Sequence, residues 1–205
     1  MILSGPGLSP LEPRIPSPSY TYRINLGQRN SSLVPLQKVS AFMQDIHTII
    51  DALHLDPHPE GGFYKEMYRS EMVVKDLKGT SNKSAHTSIY YLLSGKDFSA
   101  WHRIKSDETW YFHLGCDVLI YFFDENKLLR TIQVGVVSKN LQATIPANTW
   151  FAAKPLSENA FCLVSCAVAP GFEFDDFEIS GREDLLKEFG TSSENIQIIK
   201  ALTRT

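Results

Sequence analysis

The chain is short of several things, and each shortage closes off a class of function. It has three cysteines, Cys116, Cys162 and Cys166, and no signal-peptide pattern at its start. An odd count of that kind argues against a disulfide framework and for reduced thiols inside a cell. Cys162 and Cys166 share one face of an expected strand, which reads as small apolar filling and not as a metal pair. Basic residues are not in excess: the formal net charge is -3, which gives no positive field for nucleic acid. No apolar run approaches the length that spans a bilayer, so no membrane partner is expected. The Gly61-Gly62 pair lacks the surroundings of a phosphate-binding loop and reads as a turn device. Residues 1–37 are nearly without acid, Glu12 being the single one, and they have no apolar period while being rich in Pro, Ser and Gly. They are expected to form a flexible N-terminal extension. Their acid-poor character resembles an organelle transit peptide, but the prolines interrupt the amphipathic helix such a peptide needs. The expected location is therefore the cytoplasm, with organelle targeting as the alternative.

What is present is enough for one packed domain over residues 38–205, since 43% of the chain is hydrophobic and no second composition regime appears. Phe42, Met43, Ile46, Ile49, Ile50 and Leu53 recur at helical spacing after Ser40, a suitable N-cap, and predict an amphipathic helix over 39–53. DPHPEGG then makes a turn, with His47 on the helix and His54 and His58 at its exit in solvated or capping roles. Residues 63–70 alternate as a strand, with Tyr64, Glu66 and Tyr68 on one face and Lys65, Met67 and Arg69 on the other. Residues 75–85 read as a polar loop. Strand 86–93 sets Ser88, Tyr90 and Leu92 opposite Thr87, Ile89 and Tyr91. Further strands are expected at 98–104, 108–114, 118–123, 128–134, 141–146, 149–154 and 161–168, then short helices over 183–189 and, capped by Ser193, 194–202. Short strands at regular spacing predict an all-β barrel or sandwich with peripheral helices.

The stretch that carries chemistry is residues 95–115. Alternation puts His102 among Phe98, Ala100 and Ile104 on one apolar face, and Glu108 among Trp110, Phe112 and Leu114 on another. Ionisable groups on apolar faces indicate a pocket more than a plain core. Aromatic residues beside these strands, Trp110, Trp150, Phe151 and Tyr90, suit the walls of a small-molecule site. Tyr64, Glu66, Arg69 and Ser88 are further candidate ligand contacts, Arg69 as a cation for an acidic ligand.

The spacing of Gly95, His102, Ile104, Glu108 and Gly115 resembles the first motif of the cupin superfamily, with an isoleucine where that motif has its second histidine. Gly135 followed by Pro146, Asn148 and Phe151 resembles the second motif, with a phenylalanine at the third histidine. With PHPEGGFYKEMYRS before and VAPGFEFDDFEIS after, the chain is similar over residues 53–180 to the DUF985, or Cupin-5, branch with its RmlC-like jelly roll. The resemblance implies a double-stranded β-helix. Metal-bearing cupins hold one ion with three histidines and a glutamate, and here His102 and Glu108 alone match, so no metal or other cofactor is expected. The metal-free sugar-nucleotide 3,5-epimerases of the superfamily use a histidine base, an acidic partner and a tyrosine acid. That likeness implies His102 as base, Glu108, Asp175 or Asp176 as partner, and Tyr64 or Tyr90 as acid, acting on a sugar-nucleotide-like or small acidic substrate. The competing expectation is a ligand-binding cupin without catalysis. Alternation leaves Trp101, Tyr111, Tyr91 and Ile89 on faces pointing away from His102 and Glu108. The resemblance implies a two-fold homodimer, expected to bury part of that outer face, with the 39–53 helix as the competitor for the same surface.

Overall fold

The computed structural model describes residues 46–75 and 82–204, all within the compact unit Leu36–Thr205. Residues 1–37 and the first part of the 39–53 helix lie outside the described residues. The helix is described as α1, Ile46–Leu53. Strands β1 (Asp56–Pro57), β2 (Phe63–Arg69), β5 (Thr87–Ser94), β7 (Asp107–Gly115), β10 (Gln142–Ile145) and β12 (Phe161–Ala169) form one antiparallel sheet in the order β1-β2-β5-β12-β7-β10. Strands β6 (Ser99–Ile104), β8 (Val118–Phe123), β9 (Leu129–Val134), β11 (Phe151–Pro155) and β13 (Phe177–Ile179) form a second in the order β13-β6-β11-β8-β9. Consecutive strands cross repeatedly from one sheet to the other, as in a jelly roll.

The two sheets face each other across a shared core, and parts of each outer face are covered by helices. Between the sheets lies a core that joins Tyr91, Trp110, Val164 and Cys166 of the first to Val118, Ile120, Val134 and Phe151 of the second. The outer face of the six-stranded sheet, at Leu92 and Leu163, is covered by Ile49 of α1 and by Leu55. On the other side, Trp101, Phe123 and Ala152 of the five-stranded sheet are covered by α2 (Arg182–Phe189) and α3 (Ser193–Ala201) through Leu185, Phe189 and Ile199. The Phe123 and Phe189 rings stack at 4.0 Å. Trp101 is fully buried in this cluster, and truncating it to alanine would cost about 3–5 kcal/mol.

Several expectations change at this level. The 75–85 stretch is not simply a polar loop, because β3 (Val73–Lys75) pairs with β4 (Asn82–Ser84) in a hairpin. Helix α3 is capped by Ser192, not Ser193: the Ser192 hydroxyl accepts from the Asn195 backbone N–H at 3.1 Å. The expected outer aromatic face is largely consumed. Trp101 packs under the C-terminal helices, whereas Tyr91 and Ile89 face the interior. Tyr111 alone of the four remains exposed.

Candidate functional site

The site begins with a glycine pair. Gly61 and Gly62 both have positive φ, +116° and +70°, and a Cβ at Gly62 would lie 2.6 Å from the Leu92 carbonyl oxygen. Only glycine lets the chain press this closely onto β5. Gly62 N–H donates to Asp97 Oδ2 at 2.8 Å, Ala100 N–H donates to the Glu60 carbonyl at 2.9 Å, and the Tyr91 hydroxyl donates to the Gly61 carbonyl at 2.7 Å. Arg204, from the C-terminal end, donates through Nε to the Glu60 carbonyl at 3.1 Å. So held, the turn drives the Glu60 side chain inward, where it is 5% exposed.

Glu60 there meets His102, which β6 presents from the five-stranded sheet. Glu60 Oε1 accepts from the Ser99 hydroxyl at 2.9 Å, and Oε2 lies 3.3 Å from His102 Nε2. His102 Nδ1 is 2.7 Å from the Ala100 carbonyl. A carbonyl only accepts, so Nδ1 carries the ring proton, and Nε2 is the nitrogen that faces Glu60 Oε2. His58 stands beside them with its Nδ1 accepting from the Glu60 N–H at 3.3 Å. That nitrogen is therefore unprotonated, and its 3.8 Å approach to Glu60 Oε2 is not an ion pair. Burial, reinforced by His102 and opposed by Glu60, lowers the His58 pKa and keeps it neutral.

The opposite wall carries Glu108, on β7 of the six-stranded sheet, 7% exposed. Burial, and secondly the charge of Glu60, push its pKa up to about 8, against weaker help from Cys166 and Trp110. At neutral pH it is mostly a carboxylic acid and a proton donor. The Cys166 thiol is raised well above its ordinary value, by burial first and then by Glu108, so it is not a nucleophile.

Between these walls lies a cavity of about 110 Å³, lined also by Tyr64, Glu66, Arg69, Thr87, Ile89, Tyr91, Ile104, Val168, Phe172, Phe174 and Phe177. Strict alternation would put Arg69 opposite Glu66. A bulge in β2 between Glu66 and Tyr68 shifts the register, so that Tyr64, Glu66 and Arg69 pair with Tyr91, Ile89 and Thr87 and share one face. At the mouth, Arg69 donates to both Glu66 oxygens at 3.0 and 2.8 Å, to Glu173 at 2.7 Å and to the Phe172 carbonyl at 3.1 Å.

The cavity thus gathers His102, Glu108, Tyr64, Glu66 and Arg69 from the expected set. It does not gather Tyr90, Ser88, Trp150 or Asp175. Tyr90 and Ser88 are on the other face of β5, where the Tyr90 ring meets His113 at 5.9 Å. Trp150 lies beyond the five-stranded sheet, under the Arg103 guanidinium, in a separate groove. Asp175 is exposed, and its neighbour Asp176 is held by Lys83 and Lys105. Trp110 and Phe151 pack behind the wall, the Phe151 ring 4.1 Å from that of His102. The carboxylate nearest His102 is Glu60, which alternation had no means to find, and His58 is buried beside it instead of solvated. The signal that was available is the His58-Pro59-Glu60-Gly61-Gly62 run itself, two ionisable residues locked to a glycine pair.

The residues do not fit the metal centre of metal-bearing cupins. Ile104 lines the cavity where a second histidine would stand, and Phe151 offers no lone pair. Among the described residues no three His, Cys, Asp or Glu are grouped to hold an ion.

Comparison with known proteins agrees with this architecture. Residues 47–180 match Cupin_5, described as Cupin superfamily (DUF985). The chain belongs to this family. A hypothetical protein from Leishmania major is 30% identical with a TM-score of 0.72, over 79% of this chain and 100% of its own. A protein from Shewanella oneidensis, solved by X-ray crystallography, is 35% identical with a TM-score of 0.70, over 79% of this chain and 99% of its own. The fold is the cupin jelly roll. No curated protein matches the chain. Among the described residues no helix is long and apolar enough to cross a membrane.

Proposed function

We propose that this cupin binds a small molecule in the cavity and moves a proton on it, as an isomerase or epimerase does, with His102 as base and Glu60 as the carboxylate that shares its proton. The observation that carries the reading is the 3.3 Å approach of His102 Nε2 to Glu60 Oε2 in a buried cavity, with Nδ1 fixed on the Ala100 carbonyl. A fixed tautomer beside a carboxylate is the arrangement in which imidazole accepts and returns protons near neutral pH. Glu108, protonated on the facing wall, supports the reading as a donor. A sugar nucleotide or small acid would find one guanidinium here, Arg69, already held by Glu66 and Glu173. The proposal therefore rests on the proton pair and not on phosphate recognition.

The test is solvent-deuterium incorporation, read by mass spectrometry, over a panel of sugar nucleotides, organic acids and amines. The native protein is expected to label at least one compound, and His102→Ala and Glu60→Gln to slow labelling by about a hundredfold or more. One observation favours a second reading, a ligand-binding cupin without catalysis: both His102 nitrogens already have partners within the protein. A compound that binds tightly to the native protein and never exchanges a proton would decide for it.

Two further expectations accompany this proposal. No tightly bound metal is expected, because two of the four ligand positions are Ile104 and Phe151; one equivalent of Zn, Mn, Fe or Ni per chain after dialysis against a weak chelator would contradict it. A homodimer is expected, using the surface that remains around Tyr111 and the exposed Leu141. Light scattering should then give about twice the 23.1 kDa of one chain.

A further inference from the structure

We infer that the cavity takes a small organic cation, an ammonium or quaternary ammonium group, seated between Glu60 and Glu108 and against the aromatic side chains around them. The inference rests on the reading of this cavity as a ligand site and adds the charge of the ligand. Two carboxyl groups converge on one buried space from opposite sides. Glu60 is tied to β6 through Ala100 and Ser99, and Glu108 comes from β7 of the facing sheet. No unpaired Lys or Arg among the lining residues answers them. Arg69 is the single Lys or Arg among the lining residues, and its guanidinium is occupied by Glu66, Glu173 and the Phe172 carbonyl at the mouth. His58 is held neutral by its accepting Nδ1, and His102 directs its Nδ1 proton to the Ala100 carbonyl and not to Glu60. Burial first, and then the charge of Glu60, raise the Glu108 pKa to about 8, and a cation placed between the two carboxyls would oppose both and draw Glu108 into its charged form.

The rest of the lining suits an organic cation better than the alternatives. Tyr64, Tyr91, Phe172, Phe174 and Phe177 supply aromatic surface, which attracts ammonium groups through the ring quadrupole, more strongly where water is excluded. A bare metal ion would need three or more converging donors, and no such group exists among the described residues. An anion would meet carboxyl groups with no unpaired cation. A neutral ligand of the same shape would supply no counter-charge to Glu60 and would leave Glu108 protonated.

The experiment compares choline with 3,3-dimethyl-1-butanol, its uncharged carbon isostere, by calorimetry on the full chain, with tetramethylammonium, inorganic phosphate and malate as further probes. Choline is expected to bind about tenfold or more tighter than the isostere, tetramethylammonium to compete with it, and phosphate and malate not to. Equal affinity for choline and the isostere overturns the inference, as does phosphate or malate binding more tightly than choline. Choline displaced by one equivalent of Zn²⁺ or Mn²⁺ also overturns it, because the cavity would then be a metal site. Glu108→Gln is expected to remove most of the choline preference while leaving the isostere unchanged. Because the choline-to-isostere ratio is read on the native protein, the inference stays testable if that variant does not fold. Its failure is distinct from failure of the proton-transfer reading: choline bound with no proton exchange in any amine sinks only the latter, and exchange in an acid with no choline preference sinks only the former.

Discussion

Glu108 and Asp117 are both almost fully buried carboxyl groups, at 7% and 2% exposure, yet the fold treats them in opposite ways. Asp117 sits between β7 and β8 in a nest of donors. It accepts from Gln133 Nε2 at 2.9 Å, from Val137 N–H at 3.1 Å and from Ser138 N–H at 2.8 Å. Burial by itself would raise its pKa, but these hydrogen bonds outweigh burial and lower it. Gly135 has no Cβ because one would lie 2.0 Å from Asp117 Oδ1. Glu108 has no such nest, and burial together with Glu60 takes its pKa up to about 8. The difference teaches that burial alone does not fix the charge of a carboxyl group: donors can outweigh it, as at Asp117, and where they are too few burial prevails, as at Glu108. Asp117 is a charged staple for the 135–140 loop, and Glu108 is a neutral acid left available to whatever enters the cavity.

The largest expected effect breaks the comparison on the Glu108 side. Its folded pKa of about 8 lies above the ordinary 4.5, so the fold prefers the protonated form. The stability this contributes is complete below the unfolded value, declines as pH rises, and is gone above the folded value. Between pH 4.5 and 9 the native protein should lose on the order of 3–5 kcal/mol through this group, an upper bound if water enters the cavity. Glu108→Gln cannot ionise. Its urea midpoint should therefore match the native protein at pH 5 and exceed it increasingly toward pH 9, and parallel curves across that range would refute the assignment.

Next in size is Asp117→Ala, which strands three donors at once. Hydrogen bonds to a charged group contribute about 1.5–3 kcal/mol each in favourable cases and are not additive, so a loss of about 3 kcal/mol is expected at pH 7. For a chain of this length that is a fall of about 6–12 °C in melting temperature. The pH signature is the reverse of that of Glu108. A lowered folded pKa gives stability that is present above the ordinary 3.8 and lost as pH falls through the folded value. The Asp117 contribution should therefore be flat from pH 5 to pH 9 and fade only in acid, as denaturation series at pH 3, 5 and 9 would show.

How much of this was legible in the sequence follows from what period-2 alternation can and cannot report. It placed His102 and Ile104 on one face and Glu108 with Trp110 on another, because β6 and β7 are regular there. It stated which residues share a face of β5 but not which face is inward. Tyr90 and Ser88 were thus expected in the site where Tyr91, Ile89 and Thr87 stand. It failed at Arg69, because a bulge adds one residue and reverses the alternation beyond it. It was silent on Glu60 and His58, which are placed by a turn with positive φ at two glycines and by long-range bonds from Asp97 and Arg204. The burial of Trp101 was hidden for a related reason: which face a C-terminal helix pair covers is a tertiary fact with no local period.

The smallest expected effect sharpens the comparison by removing burial while keeping charge. Glu158 Oε2 and Lys96 Nζ approach to 3.7 Å with side chains 71% and 84% exposed. Two such charges in water attract by about 1 kcal/mol, and most of that is offset by the entropy of holding two long side chains and by salt screening. Glu158→Gln is therefore expected to change stability by less than about 0.5 kcal/mol, and by still less in high salt. Chemical denaturation at low and at high ionic strength checks both parts. A loss above about 1 kcal/mol would mean that an exposed ion pair rivals a buried hydrogen-bonded one in this fold. The contrast between Asp117 and Glu108 would then reflect net charge across the molecule and not the donors each carboxyl group meets.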